Sequence, residues 1–268
     1  MKQSGVPRSE IFLTTKLWNN SHHPDDVEKA LDASLKNLGT DYVDLYLMHW
    51  PSPFARSDEL FPRDDKEKIK PGDTDYVDTW KAMEKAQKTG KAKAIGISNF
   101  SKAELDRLLK EGNVVRFLHP TPPFSGNNNH IAKTPTPQVP AAHQMELHPY
   151  LQQKDFVKYH ATKGIHVTQY SPFGNSNPIY SKGENMGKLI DDPVLADVGK
   201  KHGKTGAQVA LAWGIAQGHT VIPKSKTESR IKANLEGDFK LSDEDMEKIA
   251  AVDKKLRFND PSGNFHWK

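Results

Sequence analysis

The chain has 268 residues, a formal net charge of +4 and no cysteine. That length fits one α/β barrel or two ordinary domains, and the lack of cysteine excludes disulfides, thiol catalysis and thiolate metal sites. Its lysines alternate with acids, as in DDKEKIK and EDMEKIA, the pattern of solvated helix faces. That pattern and the small net charge speak against a nucleic-acid partner, and no window approaches the ~18 apolar residues of a membrane span, so no membrane partner is expected either. In chain order, Ile11 to Leu17 reads as a buried strand and residues 25–38 as a helix with acids first. VDLYLMHW (43–50) is the second strand. A polar loop over 52–74, a helix stopping at Gly90 and the strand AKAIGIS (92–98) follow. The helix 101–112 takes Ser101 as its N-cap, and AAHQMEL (141–147) is the fourth strand. After the helix KDFVKYHATKG comes HVTQYSP (166–172), then two helices within 192–217 and TVIPKS (220–225). The helix TESRIKANLEG starts near Thr227, and an amphipathic helix over 242–256 closes the pattern.

Strand–helix alternation with helical crossovers implies a parallel sheet, and near-continuous apolar strands imply one buried on both faces. Six β/α units are countable. A closed barrel of this kind needs eight, and no first turn carries a glycine-rich dinucleotide fingerprint. The count therefore points to a barrel with two units missing. The N-terminus MKQSGVPRSE has no apolar signal core, and the compartment expected is the cytoplasm.

Residues 115–138 break the pattern with five prolines, three consecutive asparagines and no acid, and read as an irregular insertion. Two readings stand: a surface insertion such as a lid, and a retained intron translated in frame. Deleting the segment gives KEGNV-VPAAHQMELHPY, and its 24 residues correspond to 72 nucleotides. Apart from this insert, residues 1–268 read as a single domain.

Barrel enzymes place their chemistry at the C-terminal ends of strands. Those ends carry Lys16, His49, Ser98 with Asn99, Gln144 and Glu146, Tyr170, and Lys224 with Ser225. A lone lysine or histidine there is usually structural, but polar groups at the same end of every strand suggest a shared pocket. The twelve histidines show no metal-ligand spacing, and no metal is expected.

LDASLKNLGTDYVDLYLMHWP (31–51), GISNF (96–100), MELHPYLQQ (145–153) and IPKSKTESRIKANL (222–235) resemble, in order, the signatures of the aldo-keto reductase family. Within it the sequence looks most similar to the fungal glycerol dehydrogenase and glyceraldehyde reductase group. The resemblance implies a (β/α)8 TIM barrel, here without its first two β/α units, that binds NADPH or NADP+ and reversibly reduces aldehydes and ketones. The tail NFHWK looks shorter than the family's substrate loop. The family's catalytic set is Tyr, Lys, Asp and His. By motif, Lys16 would be the lysine and His49 the histidine, while the tyrosine and aspartate belong to a unit preceding everything present. Tyr42 and Tyr46, lying before or within a strand whose functional end is His49, cannot substitute.

For the cofactor, Ser98, Asn99 and Gln144 would hold the nicotinamide carboxamide and Tyr170 would stack on its ring. Ser171, Phe173 and Asn175 would follow the pyrophosphate. Lys224, Ser225 and Arg230, with Pro223 and Thr227 in the same turn, would grip the 2′-phosphate, and Asn234 would lie near the adenine. Trp18 and Trp50, with His49, would line the pocket for a small carbonyl or polyol substrate. The alternative function is a non-catalytic, NADPH-binding regulatory or scaffold protein.

Overall fold

In a computed structural model, the described residues are 2–112, 139–174 and 188–260. The segment 115–138 and Asn175 lie outside them. The chain divides into two compact units, Met1–Ala141 and Ala142–Lys268.

The first unit carries strands β1 (Thr14–Leu17), β2 (Val43–Met48) and β3 (Ala92–Ser98), with helices α1 (Pro24–Leu38), α2 (Tyr76–Lys88) and α3 (Lys102–Glu111). The three strands pair in chain order and in parallel. Their register sets Leu17 opposite Met48, and Met48 opposite Ile97. The residues following these three therefore fall in one row at the end of the sheet. Helix boundaries follow local chemistry. Pro24 enters α1 at its first turn and Gly39 closes it with φ 66°, a left-handed conformation that glycine adopts without Cβ strain. Ser101 and Glu104 form a reciprocal capping box on α3. Ser101→Ala is expected to lower unfolding free energy by about 1 kcal/mol, read as a shift in the urea midpoint. An unchanged midpoint would show the cap to be redundant.

The first strand starts later than its apolar run suggests. Leu13 gives its N–H to the Asp44 carboxylate at 2.9 Å, and the Ile11 carbonyl is taken by the Arg8 guanidinium. Arg8 also pairs with Asp44 at 2.9 Å and lies 3.9 Å from the centre of the Tyr42 ring. Side chains thus occupy backbone groups that would otherwise extend the ladder.

The second unit carries β4 (Ala142–Glu146), β5 (His166–Tyr170) and β6 (Thr220–Ile222), with helices α4 (Lys154–Lys163), α5 (Pro193–His202), α6 (Gly206–Ala216), α7 (Glu228–Leu235) and α8 (Asp243–Ala250). Its strands also pair in chain order and in parallel, with Glu146, Tyr170 and Ile222 in one row. Met145, Leu147, Val167, Leu195, Val209, Trp213, Ile249 and Phe258 form its core. Helix α6 is apolar almost all round, and its residues 208–214 are all buried.

Two expectations are corrected. The closing helix ends at Ala250, not at 256. Beyond it, Lys254 and Leu256 give their N–H groups to the Tyr150 carbonyl, and Asp253 accepts from the Gln152 N–H. The chain there straps the 150–152 turn instead of continuing its own ladder. Burial on both faces holds for β2 and β4, but β1 buries only Leu17 and β6 buries no residue. Each of these two strands pairs along one edge only among the described residues.

Candidate active site

In the first unit, the strand-end row assembles six of the expected residues. His49 donates its backbone N–H to the Leu17 carbonyl at 3.1 Å, which fixes it beside the end of β1. Trp18 meets the His49 imidazole edge-on with centroids 4.8 Å apart, and Trp50 stacks near it at 6.4 Å. The Asn99 amide donates to the His49 carbonyl at 2.9 Å and to Ser98 Oγ at 3.1 Å. Asn99 holds φ 61°, which asparagine tolerates better than other side-chain-bearing residues.

The electrostatics of this row are set by burial. Desolvation lowers the Lys16 pKa. Among the described residues the Lys16 ammonium has neither a hydrogen-bonded carboxylate nor a phenol partner. The His49 pKa falls to about 3, first through desolvation and then through repulsion from Lys16. A neutral imidazole beside an ammonium can donate a hydrogen bond to a carbonyl oxygen without carrying charge itself.

No tyrosine of this unit reaches Lys16. The Tyr46 hydroxyl donates to the Val27 carbonyl at 3.3 Å and burial pushes its pKa up. Tyr42 lies between Arg8 and Lys93, and the Tyr76 hydroxyl donates to the Glu104 carbonyl.

The loop over 52–74 closes on the same row. Trp18 Nε1 donates to the Leu60 carbonyl at 2.6 Å, and its indole meets Phe54 and Phe61 edge-on. The Asn20 amide donates to the carbonyls of Ser57 and Glu59 at 2.9 and 3.0 Å, tethering the loop. Gly72 has no room for a Cβ, which would lie 2.3 Å from the Phe54 carbonyl oxygen. Asn20, Phe54 and Phe61 were not singled out from the sequence. The only signal was the place of Asn20 two residues after Trp18 in TTKLWNN.

In the second unit, Gln144 in β4 is 5% exposed, and its amide has no hydrogen-bond partner among the described residues. Tyr170 ends β5, and Ser171 follows it with φ 50°. Phe173 packs partly into the unit's core. Pro223, Lys224, Ser225 and Thr227 lie in the turn between β6 and α7, so Lys224 and Ser225 stand past the strand and not within it. Ser225 Oγ accepts the Thr227 N–H at 3.1 Å. Arg230 and Asn234 lie on α7. Among the described residues Lys224 and Arg230 make no ion pair, and Thr227 gives α7 no side-chain cap. The helix start thus combines orphan N–H groups with uncompensated cations, the arrangement that suits a phosphate dianion.

No group of three or more metal-ligating side chains occurs among the described residues, and no helix there is long and apolar enough to cross a membrane.

A profile described as the aldo/keto reductase family matches residues 1–254. The chain belongs to this family. Similar aldo/keto reductases include one named member A1-A of family 1 from Danio rerio, 44% identical over 95% of this chain and 71% of its own length. The member A1 protein of Xenopus tropicalis is 41% identical over 95% of this chain and 70% of its own. An uncharacterised oxidoreductase of Schizosaccharomyces pombe is 43% identical over 97% of this chain and 73% of its own. NAD(P)H-linked oxidoreduction of small carbonyl compounds is the general chemistry of this family.

Proposed function

We propose that the protein is an NADPH-dependent reductase of aldehydes and ketones, working reversibly on small polyol- or glyceraldehyde-like substrates in the cytoplasm. The observation that carries this reading is the neutral His49 beside the half-buried Lys16 in a wall of Trp18 and Trp50. When bound, NADPH supplies hydride to the carbonyl carbon. His49 orients the carbonyl by donating to its oxygen. Lys16 favours the charged form of whatever proton donor lies against it, and the tryptophans and Phe61 exclude water. Ser98, Asn99 and Gln144 bind the carboxamide, Tyr170 covers one ring face, and Ser171, Phe173 and Asn175 follow the pyrophosphate. Pro223 and Thr227 shape the turn from which Lys224, Ser225 and Arg230 bind the 2′-phosphate, with Asn234 at the adenine.

The architecture proposed is the family's (β/α)8 barrel, in which two further units precede β1 and carry the tyrosine and aspartate. The one-sided pairing of β1 and β6 supports this. Segment 115–138 is read as an insertion between α3 and β4, supported by the continuous KEGNV-VPAAHQ join that its deletion leaves.

The preference for NADPH is tested with the double variant Lys224→Ala/Arg230→Ala. Loss of two charge-assisted contacts at an exposed helix start is expected to weaken NADPH by about 10–100-fold. NADH, which lacks the 2′-phosphate, should change by less than about threefold, with both followed by fluorescence titration. Equal weakening of the two cofactors would remove these cations from 2′-phosphate recognition. A second reading, cofactor binding without turnover, is favoured by one observation: Lys16 lacks both carboxylate and phenol among the described residues.

A further inference from the structure

The end of β4 holds a carboxylate that the functional reading leaves unused. Glu146 is fully buried. Its Oε1 accepts from the Phe258 backbone N–H at 2.7 Å and meets His148 Nε2 at 3.1 Å. Its Oε2 accepts from the Asn259 N–H at 3.1 Å and from Arg257 at 3.4 Å. A buried carboxylate is tolerated when its lone pairs are filled in this way. The consequence is that residues 257–259 are nailed to a strand end more than a hundred residues earlier in the chain.

From that anchor the segment grips the turn after β5 at two points. A Cβ on Gly174 would lie 2.8 Å from the Phe258 ring, so Phe258 sits directly against that glycine. Asn259, 8% exposed, donates from Nδ2 to Ser171 Oγ at 3.1 Å. Ser171 in turn holds the left-handed φ of 50°, and its carbonyl accepts the Gly174 N–H at 2.9 Å.

A serine hydroxyl has one proton and two lone pairs. With a lone pair filled by the Asn259 N–H, the proton has no other acceptor among the described residues. An anionic phosphate oxygen offers only lone pairs, so it can be met only by donors. A chain N–H···O–H···O⁻ polarises each hydrogen bond in the same sense.

We infer that Asn259, held by Glu146, is a positioning residue for the pyrophosphate of a bound dinucleotide, acting by fixing the Ser171 hydroxyl as a donor. This rests on the cofactor reading above. The isosteric Asn259→Asp variant tests it, because a carboxylate would take the Ser171 proton for itself and add charge beside the anion. The full chain is titrated with NADPH, NADH and adenosine 2′-monophosphate, which has no pyrophosphate. Asn259→Asp is expected to raise the Kd of both dinucleotides by about tenfold or more, by the same factor, and Asn259→Ala by about threefold. Adenosine 2′-monophosphate should bind both variants as it binds the parent. Dinucleotide affinities within twofold of the parent in Asn259→Asp would overturn the inference while leaving the cofactor reading intact. A matching loss of adenosine 2′-monophosphate would overturn it too, by showing a general structural effect. If the parent chain binds none of the three nucleotides, the cofactor reading falls and takes the inference with it.

Discussion

Acidification from pH 7 to pH 4.5 is expected to destabilise both units and so to bring on their unfolding in acid. The cause is a set of histidines kept neutral by burial. In the first unit, desolvation lowers the His22 pKa to about 3, and both its ring nitrogens are buried without a hydrogen-bond partner among the described residues. His49 falls to about 3 for the reasons given above. In the second unit, His143 is fully buried, its Nδ1 lies 2.7 Å from His160 Nε2, and desolvation followed by repulsion from His160 holds its pKa well below 6.5.

A histidine depressed in the fold takes up its proton only on unfolding. Its stabilising contribution is therefore complete above pH 6.5 and is lost as the pH falls toward the folded value. Two units below 6.5, His22 and His49 each cost about 3 kcal/mol, so together they cost the first unit on the order of 5 kcal/mol, and His143 acts in the same direction on the second unit. Glu84 works in the opposite direction. Desolvation raises its pKa to about 7, so the folded state gains its proton first and recovers about 3 kcal/mol over the same interval. The net loss of about 2–3 kcal/mol in the first unit is a large share of the stability of an ordinary domain. At lower pH, Asp44 and Asp245 add to the loss. Burial alone would raise their pKa values, but Leu13 N–H, Arg8 and Lys93 around Asp44, and His202, Lys201 and Ser242 around Asp245, hold them low. Far-UV circular dichroism and tryptophan fluorescence between pH 7 and 3 measure the transition. Full retention of both signals at pH 3.5 would show that the histidines are not neutral as buried.

The parts of the fold legible in the sequence are those written in local periodicity and capping. The six strands, the Ser101 cap and the stop at Gly90 were read from residues within a turn or two of each feature. The first strand and the last helix were overextended for a common reason. Val252 and Leu256 continue the apolar spacing of α8 and do pack against the core, but Val252 does so from the turn after α8, its N–H on the Ile249 carbonyl, and Leu256 from a segment that gives its N–H to Tyr150. Ile11 and Leu13 look like strand residues, and only Arg8 and Asp44 reveal where their backbone groups are spent. The candidate site divides in the same way. Lys224 and Arg230 stand out because their cations cluster in one short stretch. Asn20 and Asn259 act on carbonyls and a hydroxyl 37 to 88 residues away, a distance at which a single sequence carries no pattern.

Turnover is expected to separate this chain from a product that also carries the family's tyrosine and aspartate. The chain as it stands should bind NADPH yet reduce glyceraldehyde about 10²–10⁴ times more slowly, the range that a positioned proton donor contributes. The argument rests on the three tyrosines of the first unit, none of which serves Lys16. Tyr46 is spent on the Val27 carbonyl, Tyr76 on Glu104 and Tyr42 between two cations. An unperturbed phenol titrates near 10 and needs a neighbouring cation to act near neutrality. In the proposed site Lys16 would be that cation, because desolvation with no carboxylate partner among the described residues makes its charge costly until a phenolate shares the site. Restoring the phenol should therefore raise the Lys16 pKa as well as kcat. The two products are compared by NADPH oxidation at 340 nm, after the transcript has been read through its upstream region and across codons 115–138. Equal rates would mean that the proton donor lies within these 268 residues and that Lys16 does not depend on a missing partner. A slow chain with intact NADPH affinity would confine the defect to the proton, leaving the binding surface of Lys224, Arg230 and Ser171 functional by itself.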